Sequence, residues 1–396
     1  MEMIQPLHDI RVLDLSRVYA APAGAMTLGD LGADVIRVEP PGGSDSMREW
    51  GPFINGESTY YLCANRNKRS ITLDLKSVEG KEQFLKLVEK SDVVIENFKT
   101  GTMKRLGLDY EELKKRNPKI IYCAVTGFGQ TGPLGALPGF DPVVQAMSGL
   151  MDVTGQPDGE PTKVGIPIAD IITSGYVALS IVAAIRQRDM TGEGQFIDLS
   201  LLDVQVASMA NVASAYLNTG MISERKGNQH NNVTPYQVFQ TGDYPIMICA
   251  GNDGLFRKLA DAMGHPEWGV DNRFVTNNDR KQHEGELVGL IEAVLATKLS
   301  EEWVTILSDA KVPVGRVNTI QQALEQEQIM DREGVEIVEH PAGSIKLLAS
   351  PLKHSGLNVK TRYAPPTIGQ HTEEILEELL GNKEIEDSFT VKNKVI

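Results

Sequence analysis

Residues 11–39 read RVLDLSRVYAAPAGAMTLGDLGADVIRVE, and this stretch decides the fold class. Its ends, RVLDL at 11–15 and DVIRVE at 34–39, are short runs rich in valine, leucine and isoleucine, a composition typical of buried strands. The segment between them, APAGAMTLGDLG at 21–32, is predicted to be a helix of mainly small residues. A strand, a helix and a second strand over this length indicate a parallel sheet with helices on its faces.

The same alternation continues through the first 130 residues. A helix is predicted over 78–91 because apolar residues recur at helical spacing. The segments DVVIENF at 92–98 and KIIYCAVTGFG at 119–129 are predicted to be buried strands, with LDYEELKKRNP between them as a helix. In parallel sheets of this kind, ligands bind at the carboxyl ends of the strands.

The rest of the chain predicts a second, smaller unit. The glycine- and proline-rich residues 127–140 form a loop, and residues 171–187 are a nearly all-apolar, buried helix. The polar stretch ISERKGNQHNNVTP at 222–235 marks a domain boundary. Beyond it the sequence predicts a β pair at YQVFQ and YPIMICAG, followed by three helices around 254–263, 284–298 and 301–309. A terminal helix is predicted at 371–381.

Composition narrows the class of protein. The 396 residues carry a formal net charge of −14, which argues against a nucleic-acid binder and against adhesion to anionic membranes. The first residues do not show the basic region followed by an apolar region that is typical of a secretory signal peptide. The apolar run 176–185 is too short to span a bilayer. The three cysteines form no CxxC pair and are predicted to be buried free thiols. We therefore expect a cytoplasmic protein without a metal site.

A nicotinamide enzyme is one alternative for the opening βαβ unit, because Glu39 stands where such folds place a ribose-binding acid. The glycines of SRVYAAPAGAMTLGDLG do not have the spacing of the G-x-G-x-x-G fingerprint, and Pro22 lies among them. The dinucleotide interpretation is therefore disfavoured.

One carboxylate attracts attention on chemical grounds. Asp170 is the only charged residue in GIPIADIITSGY at 165–176, and a carboxylate without a partner is costly to bury. It either caps the following helix or reacts. The two roles are compatible, because a helix start should favour the ionised carboxylate, which is the nucleophilic form.

Several stretches together resemble the class III CoA-transferases, the CaiB/BaiF family that includes formyl-CoA transferase. They cover nearly the whole chain: VLDLSRVYAAP, LGADVIRVE, NKRSITLDLK, ENFKTGTMKRLGLDY, GFDPVVQAMSGL, the segment around Asp170, TGEGQFIDLSLLD, PYQVF and GQHTEEIL. The resemblance implies a Rossmann-like large α/β domain with a parallel sheet, built from N- and C-terminal parts, a smaller α/β domain, and an interlocked homodimer. The corresponding ranges are 1–200 for the first part, 201–224 for a linker, 225–325 for the small domain, and 326–396 for a linker and the returning C-terminal part.

The resemblance also implies a reaction. The family's catalytic aspartate matches Asp170, whose carboxylate would attack an acyl-CoA thioester and form an aspartyl anhydride, followed by an aspartyl-CoA thioester. Coenzyme A would be part of the substrate, so no resident cofactor is expected, and a carboxylic acid would be the acceptor. The apolar neighbours of Asp170 suit such an intermediate, because water would hydrolyse it.

Contacts with CoA are expected by the same resemblance. A cation that formyl-CoA transferase has after the second strand is Pro40 here, and Arg17 or Arg37 would replace it. The run NRNKRS at 65–70 supplies further cations for the CoA phosphates, although a solvated surface run is the commoner case. The expected contacts are Arg17, Tyr19, Ala20, Arg37, Leu73, Asp74, Leu75, Lys76, Asn97, Phe98, Lys99 and Arg105.

Three residues bear on the substrate. Phe140 and Asp141 follow a loop that faces the catalytic position in relatives. Racemases of the same fold resemble GHD here and use the histidine as an acid/base group, which Phe140 cannot replace. We therefore favour a transferase, with a racemase or a CoA-binding protein without turnover as alternatives. Residues 44–62 resemble the branch that acts on dicarboxylic acids, and Arg48 could hold a distal carboxylate, although a surface arginine is as plausible.

Overall fold

The structure is a computed structural model that describes residues 4–381. Its contacts divide the chain into two units. The first unit contains the described residues up to 150, then 163–213, and those from 327 onward. The second unit contains residues 151–162 and 214–326. The first unit therefore contains both the N-terminal and the C-terminal segments of the described chain.

A six-stranded sheet forms the centre of the first unit, and all its neighbouring strands are parallel. The strand order is β5-β2-β1-β6-β7-β8. Chain order reverses between β1 and β6, so the loops that follow these two strands diverge and leave a crevice between them. The six strands are β1 (Arg11–Asp14), β2 (Asp34–Glu39), β5 (Lys68–Thr72), β6 (Val93–Glu96), β7 (Ile121–Thr126) and β8 (Phe196–Ser200). The predicted α/β class is confirmed.

Helices cover both faces of this sheet. One apolar core forms with α1 and α8, and the other with α3, α5 and α17. The helices of the first unit and its borders are α1 (Ala20–Asp30), α2 (Thr59–Leu62), α3 (Val78–Glu89), α4 (Thr102–Leu106), α5 (Tyr110–Arg116), α6 (Asp141–Met147), α7 (Leu150–Val153), α8 (Ile168–Thr191), α9 (Leu201–Ala207), α10 (Ala210–Thr219), α16 (Glu327–Asp331) and α17 (Thr372–Leu380). Two hairpins complete the unit: β3 (Phe53–Ile54) with β4 (Glu57–Ser58), and β12 (Val335–His340) with β13 (Gly343–Leu348).

Helices α1 and α8 pack closely because α1 is made of small residues. A Cβ added at Gly24 would lie 2.6 Å from Cβ of Val177 on α8. By length and composition alone, α8 could cross a membrane, since its most apolar window has a mean hydropathy of 1.9. Of that window, 39% is buried inside the protein, and the packing against α1 accounts for part of its apolar character.

The second unit has its own sheet and core. Three antiparallel strands form the sheet, in the order β11-β10-β9. The predicted β pair is confirmed as β9 and β10. The elements are β9 (Tyr236–Phe239), β10 (Ile246–Cys249), β11 (Val314–Arg316), α11 (Asp253–Ala262), α12 (Asn277–Gln282), α13 (Glu284–Leu295), α14 (Ser300–Asp309) and α15 (Ile320–Leu324). Their core gathers aromatic and aliphatic side chains around Phe256 and Trp303.

Candidate active site

A cavity of about 340 Å³ lies in the first unit, where β1, β6, β7 and β8 end. It occupies the crevice at the reversal of strand order, the usual ligand position in open parallel sheets. The predicted site residues that line it are Arg17, Tyr19, Ala20, Asn97, Phe98, Lys99, Phe140, Asp141 and Asp170. Segments far apart in the sequence therefore meet at one edge of the sheet.

Asp170 lies in the first turn of α8, but it does not cap the helix. The helix is preceded by Pro167, and the carboxylate of Asp170 makes no hydrogen bond within residues 4–381. The expectation that the helix start keeps this group ionised is wrong in direction. Burial raises the pKa of Asp170 to about 7, and the nearby charge of Asp141 adds to the rise. At neutral pH the group is therefore poised between its acid and its nucleophilic form.

Asp141 supplies the cap that Asp170 does not. Its Oδ1 accepts hydrogen bonds from the backbone N–H groups of Ala169, at 2.8 Å, and Asp170, at 3.4 Å. Its Oδ2 accepts a hydrogen bond from Gln145 at 2.7 Å, and Gln145 in turn accepts the N–H of Val164 at 2.8 Å. Gln145 was not among the predicted residues, although it lies one helical turn after Asp141, a spacing that favours such a pair.

The loop after β1 is held by side chains from two other segments. Asn97 accepts the backbone N–H of Arg17 at 2.8 Å and donates to its carbonyl oxygen at 2.7 Å. Asp45, which was also not among the predicted residues, accepts the N–H of Val18 at 3.1 Å. Val18 has a φ of 62°, which is unfavourable for a β-branched residue. The hydrogen bonds to its neighbours and to itself stabilise this conformation at the wall of the cavity.

Two tyrosines lie close to the candidate nucleophile. Burial raises the pKa of Tyr19 to about 12, with further contributions from Cys63, Tyr60 and Asp170. Burial also raises the pKa of Tyr60, and the charges of Cys63, Asp170 and Asp141 contribute. Both phenols therefore stay protonated at neutral pH and can donate hydrogen bonds near Asp170. Tyr60 was not among the predicted residues.

Two of the predicted arginines form ion pairs with carboxylates of the protein itself. Arg37 is fully buried and pairs with Asp45 at 2.5 Å and Glu39 at 3.3 Å, so the expectation that it contacts CoA is wrong. Arg48 forms a two-point contact with Glu39, at 3.0 and 2.7 Å, and its guanidinium lies 3.6 Å from the ring centre of Tyr61. Its fork is occupied, so the structure argues against Arg48 as a clamp for a substrate carboxylate.

The cationic run at 65–70 is also structural, which overturns the expectation of a phosphate-binding surface. Residues 68–72 form β5, and Lys68 is fully buried with its ammonium 2.8 Å from Asp14. Arg66 pairs with Asp30 at 2.5 Å. Arg69 pairs with Asp34 on β2 at 2.8 Å. These pairings let a highly charged segment form a strand, because each buried charge has a partner.

The remaining predicted contacts lie outside this cavity. Leu73 is buried in the core, and Leu75 packs against that core. Asp74 and Lys76 are exposed beyond the end of β5, where the carboxylate of Asp74 accepts the N–H of Lys76. Arg105 is exposed on α4 and donates to Thr102. For these positions a role in binding CoA stays a prediction.

The three cysteines differ in how far they are buried, and potential metal ligands are not grouped within the described residues. Cys123 is buried as predicted, Cys249 is half-buried and Cys63 is exposed, which corrects the expectation for these two. Within residues 4–381 no group of three histidine, cysteine or acidic side chains could hold a metal ion.

Comparison with known proteins gives the family. The sequence model of CoA-transferase family III matches residues 7–372. The chain belongs to this family. It is 41% identical to succinate–glutarate CoA-transferase of Agrobacterium fabrum, over 94% of this chain and 96% of the relative. It is 39% identical to succinyl-CoA:glutarate CoA-transferase of Mus musculus, over 96% of this chain and 87% of the relative.

A solved structure agrees with the fold of this family III CoA-transferase. A CaiB/BaiF family protein from Brucella suis matches with a TM-score of 0.85 and 40% identity, over 94% of this chain and 99% of the other. Family membership and the exposed Phe140 at the cavity, in place of the racemase histidine, together favour the transferase over the racemase and the non-catalytic binder.

Proposed function

We propose that this family III enzyme transfers CoA from an acyl-CoA to a free dicarboxylic acid and that Asp170 carries the CoA between the two acids as an aspartyl-CoA thioester. The observation that carries the proposal is the position of Asp170: its unpartnered carboxylate faces a cavity at the reversal of strand order. The dicarboxylic substrates are proposed because the two relatives described above are named for succinyl-CoA and glutarate and for succinate and glutarate.

The steps balance without any other reactant. A carboxylate oxygen of Asp170 attacks the thioester carbon and the carbon–sulfur bond breaks. CoA leaves as a thiolate, and a mixed anhydride of Asp170 and the donor acid remains. The thiolate then attacks the carbonyl carbon of Asp170, which releases the donor acid as a carboxylate and leaves an aspartyl-CoA thioester. The acceptor carboxylate repeats these two steps in reverse, which yields the new acyl-CoA and regenerates Asp170.

The surroundings of Asp170 suit both directions of this exchange. A raised pKa makes the carboxylate a stronger nucleophile than a surface aspartate once it is ionised. The N–H groups of the first turn of α8 are engaged by Asp141, so Asp141 fixes the helix start rather than competing for the acyl group. Tyr19 and Tyr60, both protonated, are candidates to donate to the oxyanion that forms on attack.

Lys99 and Phe98 are proposed to bind the CoA portion at the rim of the cavity. Lys99 is exposed there and has no ion pair within the described residues, so its ammonium is free to meet a phosphate. Phe98 presents an aromatic surface beside it. Lys76 and Arg105 are further candidates for the CoA phosphates.

We propose a homodimer in the cytoplasm, as the family resemblance implies. The exposed apolar surface of α8 supports the dimer: Leu179 is 63% exposed and Met190 is 65% exposed. Burying such residues against a second copy would remove unfavourable contact with water. Sedimentation of the purified protein should give twice the chain mass, and a monomer at micromolar concentration would contradict the dimer.

The nucleophile is tested by trapping. Incubation with succinyl-CoA and hydroxylamine should place a hydroxamate on the peptide that contains Asp170, detected by mass spectrometry. Asp170→Asn should lose both the adduct and CoA transfer to glutarate. The matched control is Asp189→Asn, an exposed carboxylate near the other end of the same helix, which should retain both. Full transfer activity in Asp170→Asn would refute the proposal.

A further inference from the structure

We propose that Arg17 binds the distal carboxylate of the dicarboxylic acid and thereby sets the preference for dicarboxylic over monocarboxylic substrates. The inference rests on the proposed function, since it concerns the acid that exchanges CoA at Asp170. Arg17 and Asp170 line the same cavity. A dicarboxylic acid would thus have one end at Asp170 and its other end at the guanidinium.

The backbone of Arg17 is fixed more firmly than a loop requires. Both its N–H and its carbonyl oxygen are bound to the side-chain amide of Asn97, which acts as a substitute for a peptide group of a neighbouring strand. The next residue, Val18, is held at a φ of 62° by Asp45, which is itself paired with the buried Arg37. Strain of this kind is typical of positions where a side chain must be aimed.

The guanidinium of Arg17 lies over the ring of Phe98, 4.8 Å from the ring centre. It is half-buried, and within residues 4–381 it has no carboxylate partner. Burial lowers the pKa of Arg17, and the more distant charges of Asp45 and Glu39 do not cancel that effect. A desolvated cation without a partner is unfavourable in the empty cavity, and an anion placed against it would relieve that cost.

The other arginines around the first strands contrast with Arg17. Arg37, Arg48 and Arg66 each pair with a carboxylate of the protein at 2.5 to 2.7 Å. Their charges serve the fold and are not free for a ligand. Arg17 is the arginine of the cavity wall whose fork remains available for the two oxygens of a carboxylate.

Two anionic groups could in principle use Arg17, the distal carboxylate of the acid and the diphosphate of CoA. If the thioester carbon lies at Asp170, the pantetheine arm carries the diphosphate away from the reacting sulfur and toward the rim, where Lys99 is exposed. In a short dicarboxylic acid, only a few methylene groups separate the distal carboxylate from the carboxylate that reacts at Asp170. The cavity shared by Asp170 and Arg17 therefore favours the acid.

The test compares glutarate with pentanoate, which has the same carbon chain without the distal carboxylate. With succinyl-CoA as donor, an aspartyl-CoA intermediate separates the loading of the enzyme from the transfer of CoA to the acceptor. The kcat/KM for the acceptor therefore reports the second half-reaction alone. In Arg17→Gln the glutarate-to-pentanoate ratio of kcat/KM should fall about 10- to 100-fold, the range of a lost charged hydrogen bond. Arg17→Lys, which keeps the charge but loses the fork, should lie between wild type and Arg17→Gln.

Inhibition by free CoA, measured on the same variants, distinguishes the two anions. Arg17→Gln should leave it unchanged within about twofold, whereas Lys99→Gln should weaken it without altering the glutarate-to-pentanoate ratio. An unchanged ratio in Arg17→Gln overturns the inference, and weaker inhibition by CoA would then assign Arg17 to the phosphates. A wild-type protein that transfers CoA to neither acid would instead refute the proposed function, and the inference with it. Circular dichroism of each variant establishes that it is folded.

Discussion

Replacing the candidate nucleophile should make the protein more stable, and the pH dependence of that gain tests the site's electrostatics. Burial and the charge of Asp141 raise the pKa of Asp170 from 3.8 to about 7. At about 1.4 kcal/mol per unit, keeping this carboxylate ionised in the folded state costs up to about 4 kcal/mol. Because the side chain is partly exposed, we expect about 1–3 kcal/mol of this cost to be recovered in Asp170→Asn above pH 7.

The sign follows from the protonation of the two states. Above pH 7 Asp170 is ionised in both states, and only the folded state bears the cost of burial. As the pH falls from 7 to 4 the folded protein takes up the proton first, so the wild type gains stability relative to Asp170→Asn. The difference in melting temperature, a few degrees at pH 8, should therefore shrink toward zero near pH 4.

Scanning calorimetry of wild type and Asp170→Asn at pH 8, 6 and 4.5, at one protein concentration, measures this difference. Asp189→Asn, the exposed carboxylate on the same helix, is the control and should change the melting temperature little at each pH. An Asp170→Asn variant that is less stable at pH 8, or a gain that does not depend on pH, would refute the assignment of a raised pKa to Asp170.

The remaining predictions concern turnover and packing. In the wild type, kcat/KM for CoA transfer should rise as the pH passes through about 7, because only ionised Asp170 can attack; a flat profile from pH 5.5 to 8.5 would contradict this. Gly24→Ala should cost about 1–3 kcal/mol in denaturant unfolding, because its Cβ would overlap a side chain of α8 at 2.6 Å. Gly175→Ala on α8 should be neutral or stabilising, because within residues 4–381 the added Cβ meets no atom within 4 Å beyond its chain neighbours and its own helix backbone; equal effects of the two substitutions would contradict the packing argument.

Much of the fold could be predicted because hydrophobic pattern and topology agree. The strand at 34–39 has the predicted bounds, and the helices on either face follow from their apolar spacing. The strand at 68–72 was missed, because a run of lysine and arginine looks like a solvated surface. The strand's ion-pair partners, Asp14 and Asp34, come from other segments, as does Asp30, the partner of Arg66 just before the strand. No local pattern indicates that those charges will meet.

The candidate site shows the same limit. Asp170 could be singled out because a lone carboxylate in an apolar segment is unusual wherever it folds. Asp45 and Gln145 could not, since each acts through hydrogen bonds to backbone groups that only the tertiary structure brings near. The direction of the Asp170 pKa was likewise mispredicted, because the sequence indicates a helix start but not the burial or the nearness of Asp141.

The arginines show why residue type alone does not assign a binding role in this enzyme. Arg37 lies on a strand, and its side chain pairs with Asp14 and Glu39, at the ends of β1 and β2, and with Asp45, so its charge neutralises buried acids of the fold. Arg17 lies just past a strand, in a loop whose backbone is fixed by Asn97 and Asp45, and within residues 4–381 its guanidinium forms no ion pair. A cation that the fold positions but does not neutralise leaves that interaction to a ligand. We therefore expect the proposed selectivity for a second carboxylate to depend on Arg17 and not on Arg37.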